Sequence, residues 1–260
     1  MQTQETGLMI KEAVAILQAR TSSSRFPNKV LADVHGMPMI LRQIDRIVKA
    51  KGISRVIVAT SDDSSDDALV AILENHGVES FRGPLEDVFS RFLAIINTED
   101  SDCFVRLTGD CPLVMPALID DLLESFNPEI HDYISNTIEP TFPDGLDVEV
   151  FTRAAFLSLQ NFSLTREELE HVTLAFHRQK ENFKLANFSG NPDRSNMRWT
   201  VDYPEDLSFV QSIYHHFKGY ESTFEYEQVL EFLSSNPEVT SGISASRRNE
   251  ALLKPIEEHN

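Results

Sequence analysis

Short apolar runs alternate with amphipathic helical segments through the first half of this chain, and this alternation constrains the fold more than any other feature. The runs have the length of buried strands and lie at 13–19, 55–60, 78–82 and 103–107. The segments between them space their apolar residues as helices do and lie at 38–50, 66–76, 85–97 and 116–126. We therefore predict an α/β fold in which a mostly parallel sheet carries helices on both faces.

The rhythm changes after residue 127. We expect three further strands, at 132–136, 147–151 and 184–188, and a helix at 166–179. We also expect a strand at 198–201 that returns to the main sheet. Two helices should follow it, at 204–217 and 225–234.

These elements predict one main domain. It spans 13–235 and includes a small inserted or edge subdomain at about 127–192. We expect tails at 1–12 and 236–260, where the sequence is polar and weakly patterned.

The charge balance excludes several kinds of partner. The 260-residue chain has 23 Lys and Arg residues against 41 Asp and Glu residues, a formal net charge of −18. Such a chain repels polyanions at long range, so we expect no nucleic-acid partner. No apolar run approaches the roughly 18 residues of a membrane helix, and the N-terminus has no signal-peptide pattern, so we expect no membrane span. The two cysteines, Cys103 and Cys111, are too few for a disulfide framework, which favours a reducing, cytoplasmic location.

Against this acidic background, one segment is locally basic. Residues 8–32 contain only one acidic residue but four basic residues, which are Lys11, Arg20, Arg25 and Lys29. The part at 18–29 follows the first predicted strand, and open parallel sheets bind ligands outside the carboxyl ends of their strands. It matches neither GxxxxGK[ST] nor GxGxxG, which disfavours ordinary ATPases and NAD enzymes. Its hydroxyls and cations predict a phosphate-binding loop, with an exposed basic loop as the alternative.

The most acidic segment, DDSSDD at 62–67, has the opposite character. Such residues are typical of a solvated loop that leads into a helix N-terminus. We expect that structural role for it.

Two other acidic residues follow predicted strands. Asp110 comes after Thr108 and Gly109, and Asp202 comes after the predicted strand at 198–201. Glycine lets a backbone approach closely, and carboxylates suit Mg²⁺. Because Asp110 and Asp202 both face the basic loop, we predict that they form a metal site. The alternatives are a turn role for Asp110 and a helix-cap role for Asp202. The Asp-Gly pair at 144–145 predicts a turn first and a substrate contact second.

Several motifs together carry a resemblance to a known family. They are Ala-Arg-x-x-Ser-x-Arg-x-Pro-x-Lys-x-Leu at 19–31, TGDCPL at 108–113, PDGLDVE at 143–149, EHVT at 170–173 and TVDYPEDL at 200–207. Arg82-Gly83, EDV at 86–88 and RNE at 248–250 also fit. With these motifs the chain resembles the SpsF-like cytidylyltransferases, the family of spore coat polysaccharide biosynthesis protein F. It is similar, more distantly, to the CMP-KDO and CMP-sialic acid synthetases.

The resemblance implies a Rossmann-like (GT-A-like) fold and a nucleotidyltransferase reaction of the EC 2.7.7 type. In that reaction CMP passes from CTP to a sugar or sugar acid of a surface polysaccharide precursor, and diphosphate leaves. The implied cofactor is Mg²⁺, held by Asp110 and Asp202. The implied catalytic residues are Arg20, Arg25, Lys29, Asp110 and Asp202. The implied nucleotide-binding residues are Ala19, Arg20, Ser24, Arg25, Lys29, Arg82, Gly83, Thr108 and Gly109.

The resemblance also implies an acceptor side, formed by Asp147, Glu149, Glu170 and His171. His171 has two open interpretations, a general base or a hydrogen-bonded structural residue. The family's frequent Asp-Thr-Pro-Glu-Asp reads Asp-Tyr-Pro-Glu-Asp at 202–206, which leaves the carboxylates unchanged.

A homodimer is expected, with a contact through the aromatic-rich segment at 127–192. Two other functions stay open. A GT-A glycosyltransferase would share the fold, but its DxD mark is not found at 110–112. A non-catalytic nucleotide-binding protein is disfavoured by the presence of Lys29, Asp110 and Asp202.

Overall fold

The computed structural model describes residues 12–241 and residue 243. The strands in this part of the chain are β1 (Ala13–Gln18), β2 (Ile53–Ser61), β3 (Glu79–Gly83), β4 (Cys103–Thr108), β5 (Tyr133–Ser135), β6 (Glu149–Thr152) and β7 (Leu185–Asn187). The α-helices are α1 (Met39–Ile47), α2 (Asp67–Asn75), α3 (Val88–Thr98), α4 (Pro116–Ser125), α5 (Arg153–Ser158), α6 (Arg166–Glu170), α7 (Leu174–Arg178), α8 (Pro204–His216) and α9 (Tyr226–Ser235). Most of the expected tail at 236–260, and nearly all of that at 1–12, lie outside the described residues.

These strands form one sheet with the order β3-β2-β1-β4-β6-β5-β7. The pairings of β1 with β2 and β4, of β2 with β3 and of β5 with β7 are parallel. Strand β6 runs antiparallel to both of its neighbours, β4 and β5. The prediction of an α/β fold with a mostly parallel sheet is therefore confirmed, and the strands after residue 127 extend the same sheet.

Strand β1 shows why helices cover both faces of the sheet. Ala13, Ala15 and Leu17 belong to one hydrophobic cluster, which also contains residues of α1, α2, α4, α8 and α9. Val14 and Ile16 point the other way, into a second cluster with residues of α3, α5 and α7. A strand buried on both faces reads as a continuous apolar run, as the sequence of β1 does.

The return strand predicted at 198–201 is wrong. Arg198 forms an isolated bridge to Asp144, and the Trp199 amide donates to the Asp144 carbonyl oxygen at 2.6 Å. The Val201 amide donates instead to the Asp110 carbonyl oxygen at 2.8 Å. The segment thus divides its hydrogen bonds between two neighbouring loops, so no regular ladder forms.

A glycine makes this close packing possible. The turn at 143–146 brings Gly145 so near this segment that an added Cβ would lie 2.5 Å from the Thr200 amide nitrogen, and the φ of Gly145 is +105°. The prediction that Asp144 and Gly145 form a turn is therefore confirmed.

The single helix predicted at 166–179 is also wrong. Helix α6 begins with a capping box between Thr165 and Glu168 and ends at Glu170, with His171 as its C-cap, and α7 begins at Leu174. The break lets Val172 enter the second hydrophobic cluster with no exposed surface. His171 is left beside the cavities described below.

The aromatic residues at 127–192 are largely covered by the chain itself. Tyr133, Phe151 and Phe156 have no exposed surface, and all three lie in the second hydrophobic cluster. Phe142 packs on Phe188. Separately, within the described residues, no helix is both long enough and apolar enough to cross a membrane.

Candidate active site

We call residues 19–29 the β1 loop. It runs from the end of β1 to Lys29, the first residue of a short 3-10 helix (Lys29–Leu31), and it closes on Thr21. The Thr21 carbonyl oxygen accepts hydrogen bonds from the amides of Ser23 and Asn28 at 2.9 and 2.8 Å. Asn28 adopts a φ of +60° just before the buried Lys29. These contacts turn the chain back toward the carboxyl end of β1.

Gly109 allows the end of β4 to lie against this loop. Its amide donates to the Gln18 carbonyl oxygen at 2.8 Å, and an added Cβ would lie 2.9 Å from the Ala19 Cβ. A larger residue at this position would separate β1 from β4, and with them the β1 loop from Asp110.

A cavity of about 450 Å³ lies between these elements, and we call it the basic cavity. Its described lining includes five cationic side chains, those of Arg20, Arg25, Lys29, Arg91 and Arg106. Three carboxylates oppose them, those of Asp110, Glu170 and Asp202. The remaining lining residues are Gln18, Ala19, Ser23, Ser24, Val30, Thr108, Gly109 and His171. This excess of positive charge on a chain of net charge −18 favours a multiply charged anion.

Lys29 connects the β1 loop to two of these carboxylates. Its Nζ lies 3.2 Å from Asp110 Oδ2 and 3.1 Å from Asp202 Oδ1, and it donates to the Val201 carbonyl oxygen at 2.7 Å. Burial alone lowers the pKa of a lysine, but here the charges of Asp110 and Asp202 outweigh burial and raise the pKa of Lys29 above 10.5. Lys29 is therefore charged at neutral pH.

Both carboxylates are ionised for the same reason. Burial raises the pKa of Asp110, but the Lys29 charge and a 2.7 Å hydrogen bond from Thr108 Oγ1 bring it well below the usual range. Burial likewise raises the pKa of Asp202, and Lys29 and Arg198 bring it below the ordinary value.

Asp202 lies among several cations. Arg25 Nη2 contacts Asp202 Oδ1 at 2.5 Å, and Arg198 Nη2 contacts Asp202 Oδ2 at 2.6 Å. The Arg25 guanidinium also lies 5.6 Å from the ring centre of Tyr203, so the aromatic ring at this position packs against a cation of the β1 loop. Contrary to the sequence-based prediction, Asp202 does not follow a strand, and the residue is buried, with 8% of its surface exposed.

A second cavity, of about 340 Å³, adjoins the first, and we call it the side cavity. The two cavities share lining residues, which are Arg25, Arg106, Thr108, Asp110, His171 and Asp202. The other polar residues of the side cavity are Thr137, Asp144, Asp147, Glu149, Thr173, His177, Arg198 and Thr200. Asp110 and Asp202 thus lie where the two cavities meet.

A buried polar network forms the floor of both cavities. Arg106 and Glu149 are directly opposed on β4 and β6 and form an ion pair. Arg106 Nη2 also donates to Gln18 Oε1 at 3.0 Å, and the Tyr133 hydroxyl donates to Glu149 Oε2 at 2.7 Å. His177 Nε2 lies 3.2 Å from that hydroxyl. The network therefore joins strands β1, β4, β6 and β5.

The structure divides the predicted acceptor-side residues. Asp147 and Glu149 line the side cavity, His171 lines both cavities, and Glu170 lines the basic cavity. Glu170 pairs with Arg20 at 3.1 Å. Burial lowers the pKa of His171 below 6.5, and the charge of Arg106 adds to this effect while Glu170 opposes it. At neutral pH the imidazole is therefore uncharged and able to accept a proton.

Two of the predicted nucleotide-binding residues do not line the basic cavity. Arg82 donates to the carbonyl oxygens of Ser61 and Asp63, each at 2.9 Å, and pairs with Asp67 at 2.8 Å. Gly83 instead lets Arg91 pack against the backbone, since an added Cβ would lie 2.9 Å from Arg91 Cγ.

Sequence reasoning missed three arginines. Arg91 and Arg106 line the basic cavity, and Arg106 and Arg198 line the side cavity. The signal for the first two was present in the sequence, because each is a charged residue inside an apolar element, Arg91 in α3 and Arg106 in β4. Such a residue is typically paired or functional when buried.

Asp110 and Asp202 fit a divalent cation. Their oxygens converge on one point, now contacted by Lys29 Nζ, and hard carboxylate oxygens are the ligands that Mg²⁺ prefers. No group of three or more His, Cys, Asp or Glu residues suited to a metal occurs in the described part of the chain. An ion held here would therefore rely on two carboxylates plus water and substrate oxygens, as Mg²⁺ at phosphate sites commonly does.

Comparison with known proteins identifies the family. The sequence profile of the family described as "Cytidylyltransferase" matches residues 14–234, most of the chain. The chain belongs to the cytidylyltransferase family. Enzymes of this class transfer CMP from CTP to an acceptor and release diphosphate, so this cytidylyltransferase is an enzyme of the EC 2.7.7 type.

Two relatives cover nearly the whole cytidylyltransferase. An uncharacterised protein of Methanocaldococcus jannaschii is 31% identical over 229 residues, which are 87% of this chain and 92% of the relative. The spore coat polysaccharide biosynthesis protein SpsF of Bacillus subtilis is 27% identical over 240 residues, 89% of this chain and 98% of the relative. The resemblance found in the motifs is therefore confirmed.

Solved structures show the same fold. A cytidylyltransferase from Leptospira borgpetersenii superposes with a TM-score of 0.84 at 28% identity, covering 92% of this chain and all of the other. A CMP:2-keto-3-deoxy-manno-octonic acid synthetase, solved in complex with CTP, superposes with a TM-score of 0.61 at 18% identity. It covers 79% of this chain and 99% of the other, and at that identity it shows the fold alone.

Proposed function

We propose that this cytidylyltransferase binds the CTP triphosphate in the basic cavity and transfers CMP to a sugar or sugar acid held in the side cavity. The polysaccharide role in the name of the Bacillus subtilis relative supports an acceptor that is a surface polysaccharide precursor. The observation that carries the proposal is the local excess of cations in a cavity of an otherwise acidic chain.

The phosphate contacts come from the β1 loop and from two neighbouring arginines. Arg20, Arg25 and Lys29 are placed to grip phosphate oxygens, and the exposed Ser24 offers a hydroxyl and an amide on the same side. Arg91 and Arg106 add positive charge from the walls. These groups lower the barrier by neutralising charge that grows on the departing diphosphate, and loss of one such group typically costs ~10²–10³ in rate.

Asp110 and Asp202 would hold Mg²⁺ where the two cavities meet. When bound, this ion supplies Lewis-acid polarisation of the α-phosphoryl group. The residues of the chain provide the rest: Lys29 and Arg25 are released from the carboxylates to contact phosphate, and Thr108 keeps Asp110 oriented.

The acceptor would occupy the side cavity with its attacking hydroxyl directed at this junction. In-line attack on the α-phosphorus from that side lets diphosphate leave into the basic cavity. His171 lines both cavities and is uncharged at neutral pH, so it is placed to accept the proton of the hydroxyl. Asp144, Asp147 and Thr200 are placed to orient acceptor hydroxyls.

A diphosphate-release assay tests this function. The four nucleoside triphosphates are each supplied with Mg²⁺ and with a panel of sugar acids, sugar phosphates and neutral sugars. We expect release only with CTP and a subset of the acceptors. Equal use of all four triphosphates, or tighter binding of a UDP-sugar than of CTP, would contradict the proposal, and the second result would favour a glycosyltransferase.

A further inference from the structure

One carboxylate of the acidic segment at 62–67 is not solvated, contrary to the sequence-based expectation. Asp62, Asp63 and Asp67 are exposed, whereas Asp66 has no exposed surface. Its Oδ1 accepts from the Thr21 amide and from Thr21 Oγ1, each at 2.7 Å. Its Oδ2 accepts from Thr60 Oγ1 at 3.0 Å and from the amide of Ser61 at 3.1 Å, and Ser61 Oγ is a further donor.

This arrangement satisfies a buried charge with neutral donors. The donors to Asp66 are backbone amides and hydroxyl groups of Thr21, Thr60 and Ser61, all of them uncharged. Burial raises the pKa of Asp66, but the hydrogen bonds from Ser61, Thr21 and Thr60 lower it further than burial raises it. The carboxylate is therefore fixed by donors from two places, the end of β2 and the first part of the β1 loop.

Thr21 connects the fixed carboxylate of Asp66 to the β1 loop. Its side chain is turned inward, because Oγ1 also lies 2.7 Å from the Ser65 carbonyl oxygen and the residue is 2% exposed. Its carbonyl oxygen is the acceptor on which the loop closes, through the amides of Ser23 and Asn28. The cations Arg20, Arg25 and Lys29 lie directly beside or within that closed turn.

We propose that Asp66 is a positioning residue for the triphosphate, acting through Thr21 to hold the β1 loop in the shape that places its cations. This inference rests on the proposed CTP-binding function. Asp66 itself does not line the basic cavity, so the proposed route from Asp66 to the nucleotide runs through the loop.

The test compares Asp66→Asn with Asp62→Asn by calorimetric titration with CTP and with CMP in the presence of Mg²⁺. Asp62→Asn removes the same charge from an exposed position of the same segment. The asparagine side chain has an NH₂ group in place of one carboxylate oxygen, so it cannot accept all the hydrogen bonds that the buried donors make to Asp66. We therefore expect Asp66→Asn to weaken CTP binding by about tenfold. The affinity for CMP, which lacks the β- and γ-phosphates that the loop is proposed to bind, should fall much less. Asp62→Asn should change the affinity for neither nucleotide.

Thr21 variants keep the inference testable if Asp66→Asn does not fold. Thr21→Ser retains the hydroxyl bonded to Asp66 and should keep the wild-type ratio of CTP to CMP affinity, whereas Thr21→Val should lower it. An unchanged ratio in Asp66→Asn, equal losses for CTP and CMP, or equal behaviour of the two Thr21 variants would overturn the positioning role. A wild-type protein that binds no CTP would instead overturn the proposed function.

Discussion

The ammonium of Lys29 lies 3.1 Å from Asp202 Oδ1, and the same nitrogen contacts Asp110 Oδ2 at 3.2 Å. A cation proposed to bind phosphate is thus paired with the two carboxylates proposed to bind metal. Arg25 is paired in the same way, with Asp202. Nucleotide and metal must therefore exchange partners with these side chains when they bind, and each binding event makes the other more favourable.

This exchange predicts opposite effects of Asp202→Asn on binding and on turnover. The substitution removes one of the two carboxylates that contact Lys29 and a carboxylate that contacts Arg25, so both cations are held less strongly, and one negative charge leaves the cavity. We expect metal-free CTP, titrated in EDTA, to bind about tenfold more tightly than to the wild type. With Mg²⁺, turnover should fall by ~10²–10³ because an ion ligand is lost.

Glu124→Gln is the control for this measurement, since Glu124 is exposed on α4 and its loss changes the net charge equally. This variant should change neither the metal-free affinity for CTP nor the turnover with Mg²⁺. Weaker metal-free binding in Asp202→Asn than in the wild type would mean that the carboxylate does not compete with phosphate.

Lys29 should also be important for folding. Replacement by Met removes the cation that contacts Asp110, while Asp202 keeps Arg25 and Arg198, so the cost should be at most the roughly 3–5 kcal/mol that is typical of a buried pair that loses one partner. Lys29→Arg keeps the charge and should cost much less. Because the folded-state pKa of Lys29 is raised, its stabilisation is fully present below pH 10.5 and is lost as pH rises through the higher value. Urea unfolding at pH 7 and above pH 10.5 measures both effects, and equal stability of the two variants at pH 7 would show that the pairing is unimportant.

The lowered pKa of His171 predicts the acid limb of the pH–rate profile. If its neutral imidazole accepts the acceptor proton, kcat should be constant near pH 7 and fall at a pH below 6.5. His171→Gln should lower kcat and remove that limb, while CTP affinity stays nearly constant. Retention of the limb in the variant would assign His171 a structural role, which was the other interpretation of the sequence.

The homodimer stays a prediction, and light scattering at micromolar protein tests it. Of the aromatic residues that suggested it, Tyr133, Phe151 and Phe156 have no exposed surface, whereas Phe142 and Phe162 are half-buried. If the contact nevertheless lies at 127–192, replacing the exposed Ile130 with Asp should dissociate the dimer without changing CTP affinity. A particle of 29.4 kDa that does not grow with concentration would contradict the dimer.

The sequence predicted the parts of this molecule that depend on local pattern. The apolar run of β1 and the amphipathic period of α3 are local signals, and both elements are present. The pairing of Lys29 with Asp110 and Asp202 was anticipated only as proximity, because parallel strands end at a common edge. The inward turn of Asp66 could not be predicted, since two of its donors come from Thr21, 45 residues away, and an acidic run has the same composition whether it is solvated or bonded.

The errors have a common physical cause. The segment at 198–201 has a strand-like composition, but its amides donate to the carbonyl oxygens of Asp144 and Asp110, which lie in two different loops. The helix at 166–179 has continuous helical spacing, but burial of Val172 interrupts it. In both cases tertiary contacts override a local preference.

The network from Gln18 through Arg106, Glu149 and Tyr133 to His177 has a consequence for how such enzymes diverge. Gln18, Arg106, Glu149 and Tyr133 come from four strands of one sheet, and replacement of Arg106 or Glu149 alone would leave its buried partner without that ion pair. Thr137, Asp144 and Asp147, which also line the side cavity, lie on loops rather than on strands of the sheet. We therefore expect that changes of acceptor specificity arise by substitution of these loop residues, while the polar network below them stays the same.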